Sequence, residues 1–277
     1  MSLKYMYITN RPEVAKIAET AGVDWIFVDL EVWGKAARQG GMNTVQSHHT
    51  VKDVMVLRKV LDRAELLVRV DPVHEGSAEQ IESVIAAGAD LLMLPMWRTP
   101  GEVSRFLELV GGRCRTVLLL ETREAEECLD KVLLLPGVDI VHIGLNDLSL
   151  SYHRRFLFEP LADGTVERIC SRLGRADKFY GFGGVGRIGG GMLPAEHILG
   201  EHIRLGSSMA ILSRTFCDAE KERSLDCIEQ IFQVGIRELR NWEAHFRAMN
   251  VAGLEENRQV LYGEVAEIVR RIRGGAV

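Results

Sequence analysis

Residues 118–150 read LLLETREAEECLDKVLLLPGVDIVHIGLNDLSL. The run LLL ends on Glu121, REAEECLDKVLLLPG carries apolar residues at helical spacing, and a second apolar run, DIVHIG, leads through Leu145 and Asn146 to Asp147. Period and punctuation therefore describe a strand, a helix and a strand. Each strand ends on or just before a carboxylate. An ionised carboxylate at the edge of an apolar core is costly unless a cation or hydrogen bonds compensate it.

The same pair of signals repeats outward in both directions. Strand-length apolar runs fall at 4–8, 24–30, 65–70, 90–95, 116–121, 139–144, 178–184 and 202–208, with segments of helical period between them. Several of those segments end in glycine, as helix C-caps often do. An open doubly wound sheet would also contain such buried strands. Eight units at nearly even spacing with short connections predict closure into a (β/α)8 TIM barrel, an α/β fold. All 277 residues then form one domain, which is within the usual size of such barrels. Beyond the eighth strand, residues 218–277 hold two long helices more than a barrel needs. Ile228, Ile231, Phe232, Ile236, Leu239, Trp242 and Phe246 make an apolar stripe on the first of them. The stripe must pack on the parent barrel or on a second subunit.

Composition narrows the class. The net charge of −5 comes from 34 basic and 39 acidic residues that are interspersed, so no basic block marks a nucleic-acid surface. Five cysteines, odd in number and with no CxxC pair, argue against a disulfide framework or a zinc site and fit a reducing cytoplasm. No apolar run approaches the ~18 residues of a membrane span, and no signal-peptide pattern opens the chain.

In a barrel, active-site groups sit at strand C-termini, which is where the unusual polar residues of this chain fall. Asp29 and Glu31 close the second strand, Arg69 the third and Glu121 the fifth, and Asp147 lies just past the sixth. Glu121 and Asp147 come from adjacent strands, so they can share one hard divalent cation such as Mg²⁺ or Mn²⁺. The guanidinium of Arg69 matches a substrate carboxylate in two parallel hydrogen bonds. Equally, it could form an internal ion pair with Asp29 or Asp71.

Five stretches, AGVDWIFVDLE, LLVRVDP, GADLLMLPM, VLLLET and LPGVDIVHIGLNDLS, resemble the HpcH/HpaI aldolase/citrate lyase family of the pyruvate/phosphoenolpyruvate barrel superfamily, over about residues 20–215. The resemblance implies a metal-dependent carbon–carbon lyase acting on a small 2-oxo acid through a pyruvate enolate. Glu121 and Asp147 would be its metal ligands, Arg69 its carboxylate clamp, and Pro95, Met96, Gly144 and Asn146 further substrate-binding positions. It also implies a homo-oligomer, trimer or hexamer, that exchanges C-terminal helices and so covers the stripe.

One position departs from the family. Its aldolases commonly carry Asp-x-Glu-His after the second strand, with the histidine in acid/base catalysis, whereas VDLEVW places Val32 there. His48 and His49, in the following loop, and His74, in VDPVHEG, are the candidate replacements. His142 reads as a satisfied core residue. The long loop GKAARQGGMNTVQSHH offers Lys35, Arg38 and Gln39 to a polar substrate tail, and Arg187, in YGFGGVGRIGGG, adds charge to a glycine loop of the kind that binds phosphate. Two alternatives stay open: a family member that binds metal and oxo acid without turnover, and a lyase of the citryl- or malyl-CoA type.

Overall fold

Eight parallel strands close on themselves in the computed structural model, which describes residues 2–33, 48–222 and 224–274. The strands are β1 Lys4–Ile8, β2 Trp25–Asp29, β3 Glu65–Arg69, β4 Leu91–Leu94, β5 Arg115–Leu120, β6 Ile140–Ile143, β7 Phe179–Val185 and β8 Met209–Leu212. They pair in chain order, and β1 also pairs with β8. Between them run α1 Pro12–Ala21, α2 Val51–Val60, α3 Ser77–Ala86, α4 Pro100–Val110, α5 Arg123–Val132, α6 Leu145–Ser151, α7 Glu159–Ala162, α8 Thr165–Arg175 and α9 Ala195–Arg204. After β8 come α10 Leu225–Ala248 and α11 Val251–Arg273.

The strands read as unbroken apolar runs because both of their faces are covered. Inward side chains such as Met6, Phe27, Leu67, Met93, Val117, Leu119 and Ile140 fill the barrel interior as a cluster of their own. The outward residues join the much larger layer between sheet and helices. At β7 the glycines are required: a Cβ on Gly181 would lie 2.0 Å from the carbonyl oxygen of Met209 and 2.5 Å from its Cγ. The β7–β8 register shifts between Gly181 and Gly184.

The predicted eighth strand, 202–208, is displaced. Residues 202–204 finish α9, Gly206 turns at φ +68°, and the strand is the next apolar run, MAIL. His202 is fully buried in that helix, stacked on Phe182 at 3.8 Å with Nδ1 2.8 Å from Ser207 Oγ. Tertiary packing thus claims a segment whose own pattern was short enough to fit either state.

The stripe on α10 is covered by its own barrel. Ile228, Phe232 and Leu239 are fully buried, and Phe232 meets Tyr7 and Phe216 edge-on at 4.9 and 5.4 Å. The helix lies against α1 and α9, and α11 lies against α9 and α7. Burial of that face therefore does not require a neighbouring subunit.

A buried acid fastens α1 to the start of β3. Glu19 Oε1 accepts the backbone N–H groups of Asp62, Arg63 and Ala64 at 2.9, 2.6 and 2.8 Å, and Lys16 donates to Oε2 at 2.7 Å. Burial opposes its ionisation, but Lys16 and the three N–H groups outweigh that and lower the carboxyl to about 2. A depressed carboxylate pKa adds stability that is complete above the unfolded value near 4.5 and is lost as pH falls towards 2. Glu19→Gln is expected to cost about 3 kcal/mol at neutral pH, a gap that urea melts should show closing towards pH 2.

Candidate active site

The C-terminal ends of β1, β2, β3 and β8 and the turn after β6 surround a cavity of about 440 Å³. Asp29, Glu31, His49, Arg69, Asn146 and Asp147 line it, so strand ends far apart in sequence converge as the barrel reading requires. Asp29 and Arg69 are register partners on β2 and β3.

Arg69 is held before any ligand arrives. Its Nε and Nη2 donate to the two oxygens of Asp29 at 2.8 and 2.9 Å, and Glu31 Oε2 stands 3.4 Å from Nε. Burial works against its charge, but Asp29, Glu31 and Glu121 outweigh it and keep the guanidinium protonated. The internal ion pair with Asp29 is therefore formed, and it takes the Nε–Nη2 edge of the guanidinium. Among the described residues Nη1 makes no hydrogen bond. Asp71 serves elsewhere: Oδ1 accepts from Val32 N and Trp33 N at 2.7 and 2.9 Å, and Oδ2 takes the Gln80 side-chain amide at 2.8 Å. It pins the exit of β2 and so carries Glu31 towards Arg69.

Glu121 stands at the end of β5, 3% exposed. Thr122 fixes that junction, since its hydroxyl donates to Trp97 O and accepts from Ala125 N to cap α5. Met96, with φ +54°, turns its N–H onto Glu121 Oε1 at 3.0 Å; a non-glycine residue in that region is uncommon and marks a constrained turn. Gly144 gives the carboxylate room, because a Cβ there would lie 2.9 Å from Oε2. Gly144 also caps α6, and Asp147 falls in the first turn of that helix, where a negative charge suits the dipole. Burial first, and then the Asp147 charge, push the Glu121 carboxyl up to about 8, with Arg69 opposing.

These two carboxylates fit a divalent ion. They are hard oxygen donors, they repel each other in a buried setting, and the Asp147 side chain has neither a hydrogen bond nor an ion pair among the described residues. No group of three or more His, Cys, Asp or Glu side chains suited to a metal occurs among the described residues, so water or substrate oxygens would complete the shell.

The histidines separate by position. His49 lines the cavity, and its Nδ1 accepts the backbone N–H of Asp29 at 3.1 Å, so a neutral ring carries its proton on Nε2. His48 is exposed, and it is Thr50, with Asp53, that caps α2. His74 stacks on Trp33 at 4.7 Å and accepts from Gly76 N–H, away from the residues that line the cavity. His142 lies inside the barrel, kept neutral by burial and by Arg69, which lower it to about 4. Its Nδ1 has no partner among the described residues, so it is a core residue but not a satisfied one. Pro95, Met96 and Gly144 do not line the cavity; Met96 and Gly144 act beneath it on Glu121. Lys35, Arg38 and Gln39 lie outside the described residues.

Thr9, Asn10 and Arg11 after β1, and Ser213 and Arg214 after β8, also line the cavity. A polar triplet directly after KYMYI was a visible signal for the first group. The second was hidden by the displaced eighth strand.

The chain matches the HpcH/HpaI aldolase/citrate lyase family over residues 5–156. It is 26% identical over 198 residues to the 2-keto-3-deoxy-L-rhamnonate aldolase of Klebsiella pneumoniae subsp. pneumoniae, covering 61% of this chain and 69% of that protein. Two solved structures share the fold. The HpcH/HpaI aldolase of Desulfitobacterium hafniense superposes with a TM-score of 0.60 at 17% identity, covering 76% of this chain and 86% of that one. An HpcH/HpaI aldolase/citrate lyase family protein of Burkholderia cenocepacia gives 0.62 at 16% identity, covering 87% and 94%. The match spans more than half of the chain and includes Arg69, Glu121 and Asp147, and the protein accordingly belongs to the HpcH/HpaI aldolase/citrate lyase family, a family of carbon–carbon lyases.

Proposed function

We propose that this chain is a divalent-metal-dependent aldolase that cleaves or forms a 4-hydroxy-2-oxo acid, with pyruvate as one product or substrate. The observation that carries the reading is the buried Glu121 carboxyl, which feels the charges of Asp147 and Arg69, two residues that line the cavity. Glu121 and Asp147 would hold the ion, Mg²⁺ or Mn²⁺, which when bound supplies Lewis acidity to the oxo-acid head. Arg69 orients that head through Nη1, while Asp29 and Glu31 keep the guanidinium in place. Asn146 lines the same wall.

In the cleavage direction the C3–C4 bond breaks, its electron pair stays on C3, and the 4-hydroxyl loses its proton as C4 becomes an aldehyde carbon. C3 then gains a proton to give the methyl group of pyruvate. His49, with its proton on Nε2, would donate a hydrogen bond to the oxygen on C4, and the lining carboxylate Glu31 would take the hydroxyl proton and return it to C3. His49→Ala is expected to lower kcat by about 10²-fold, while His74→Ala stays close to wild type. Steady-state rates of both variants test this assignment.

The decisive assay is pyruvate release from a panel of hydroxy-oxo acids with Mg²⁺, Mn²⁺ or Co²⁺, alongside calorimetric metal binding. Absence of both would end the reading. Val32 favours one alternative, a member that binds metal and oxalate without turnover, which the same pair of measurements separates. A cytoplasmic homo-oligomer, trimer or hexamer, completes the proposal. Support for the compartment comes from the five free thiols and from the described helices, none of which is long and apolar enough to cross a membrane. Sedimentation equilibrium would read the subunit number.

A further inference from the structure

Beside the catalytic cavity lies a second, larger groove of about 1030 Å³, outside the ends of β7 and β8. The two spaces meet at Arg214, Cys217 and Asp218, which line both. Arg187 reaches the groove from the loop after β7 and Arg214 from the loop after β8. The two loops touch, since a Cβ on Gly186 would lie 2.7 Å from the side-chain oxygen of Thr215. Arg187, Arg214 and Cys217 line the same groove, and the charge of Arg187 is felt at Cys217.

These guanidiniums differ from the other cations of the region. Arg11 is spent on Ala219 O and Glu13, Arg69 on Asp29, and Lys221 on Asp218. Neither Arg187 nor Arg214 has a side-chain hydrogen bond or ion pair among the described residues. The glycine loop itself offers little to an anion, because Gly189 N–H is used by Glu196 and Gly190 N–H by Arg187 O. An anion held here would be held chiefly by those two side chains, against the Asp218, Glu222 and Glu238 carboxyl groups that line the same groove.

We infer that this groove holds the phosphate of a phosphorylated aldehyde, the half of the substrate that leaves or joins at C4; this rests on the aldolase reading above. A phosphate monoester carries roughly two negative charges near neutral pH and several acceptor oxygens, which two guanidinium forks from separate loops can share. A single carboxylate brings only one negative charge to the two guanidiniums. The phosphate is bound and not transferred, so the only bond that changes remains C3–C4. Arg214 faces both spaces, so it marks where the chain of such a substrate passes from the reacting centre to the groove.

The test uses the full-length protein and Arg187→Ala, Arg214→Ala and the double variant, with Arg214→Lys as a charge-retaining control and circular dichroism to confirm folding. Wild type should bind inorganic phosphate by calorimetry, and the double variant should bind it at least tenfold more weakly. In aldol synthesis with pyruvate, wild type should prefer a phosphate-terminated aldehyde over its neutral counterpart by tenfold or more in kcat/KM, and the double variant should lose that preference. Turnover without the preference overturns the inference and leaves the aldolase reading standing. Equal or better use of a carboxylate-terminated aldehyde overturns the phosphate assignment. With no turnover at all, phosphate binding decides: binding lost in the double variant supports the site while the aldolase reading fails, and binding that is absent or unchanged overturns the site.

Discussion

Glu121→Gln is expected to abolish stoichiometric Mg²⁺ or Mn²⁺ binding and to lower kcat/KM for pyruvate release by at least about 10³-fold, the scale on which loss of a main electrostatic group acts. The amide keeps the shape of the side chain and can still accept from Met96 N–H, but it has no charge to offer a cation. The fold should survive. Because burial and Asp147 push the Glu121 carboxyl up to about 8, the metal-free side chain is already largely neutral near pH 7, and the metal-free variant should melt no lower than metal-free wild type. Asp147→Asn should repeat the loss of metal and activity. Calorimetry and thermal melts with and without chelator read both effects, and a Glu121→Gln protein that still binds metal with wild-type affinity would sink the assignment.

Arg69→Met is expected to carry the largest stability cost, about 3–5 kcal/mol, since it removes one partner of a buried ion pair. Asp29 is 2% exposed and Glu31 3%, and the guanidinium is what joins them in the described structure. Activity should fall below detection with it. Arg69→Lys keeps the charge but cannot present Nε and Nη2 to both oxygens of Asp29, so it should recover part of the stability and little of the rate. Removing the acid as well, in Asp29→Asn with Arg69→Met, should return stability towards wild type without returning activity. Urea denaturation separates these outcomes. Equal melts for wild type and Arg69→Met would mean that the pair is not the buried bridge its geometry describes.

The family resemblance and the placement of Glu121 and Asp147 were legible because each sits where an unbroken apolar run stops, and a local pattern is enough to show that. The seven earlier strands follow from the same pattern. The eighth does not, since HIRLGSS and MAIL are both short apolar runs and only the burial of His202 against Phe182 assigns the first to a helix.

Parallel strands covered on both faces, helices between them and a set of acids at strand ends are thus properties of the sequence, because the period of apolar residues and the cost of a buried charge are local facts. What only the tertiary structure decided is which partner each charged group takes. Arg69 could have met a substrate or Asp29; Asp71 could have met Arg69 or the backbone of Val32 and Trp33; His49 and His74 looked alike in the chain. Those choices depend on distances between residues 20 to 40 positions apart, and Coulomb and hydrogen-bond energies fall off over a few ångströms that no spacing along the chain specifies.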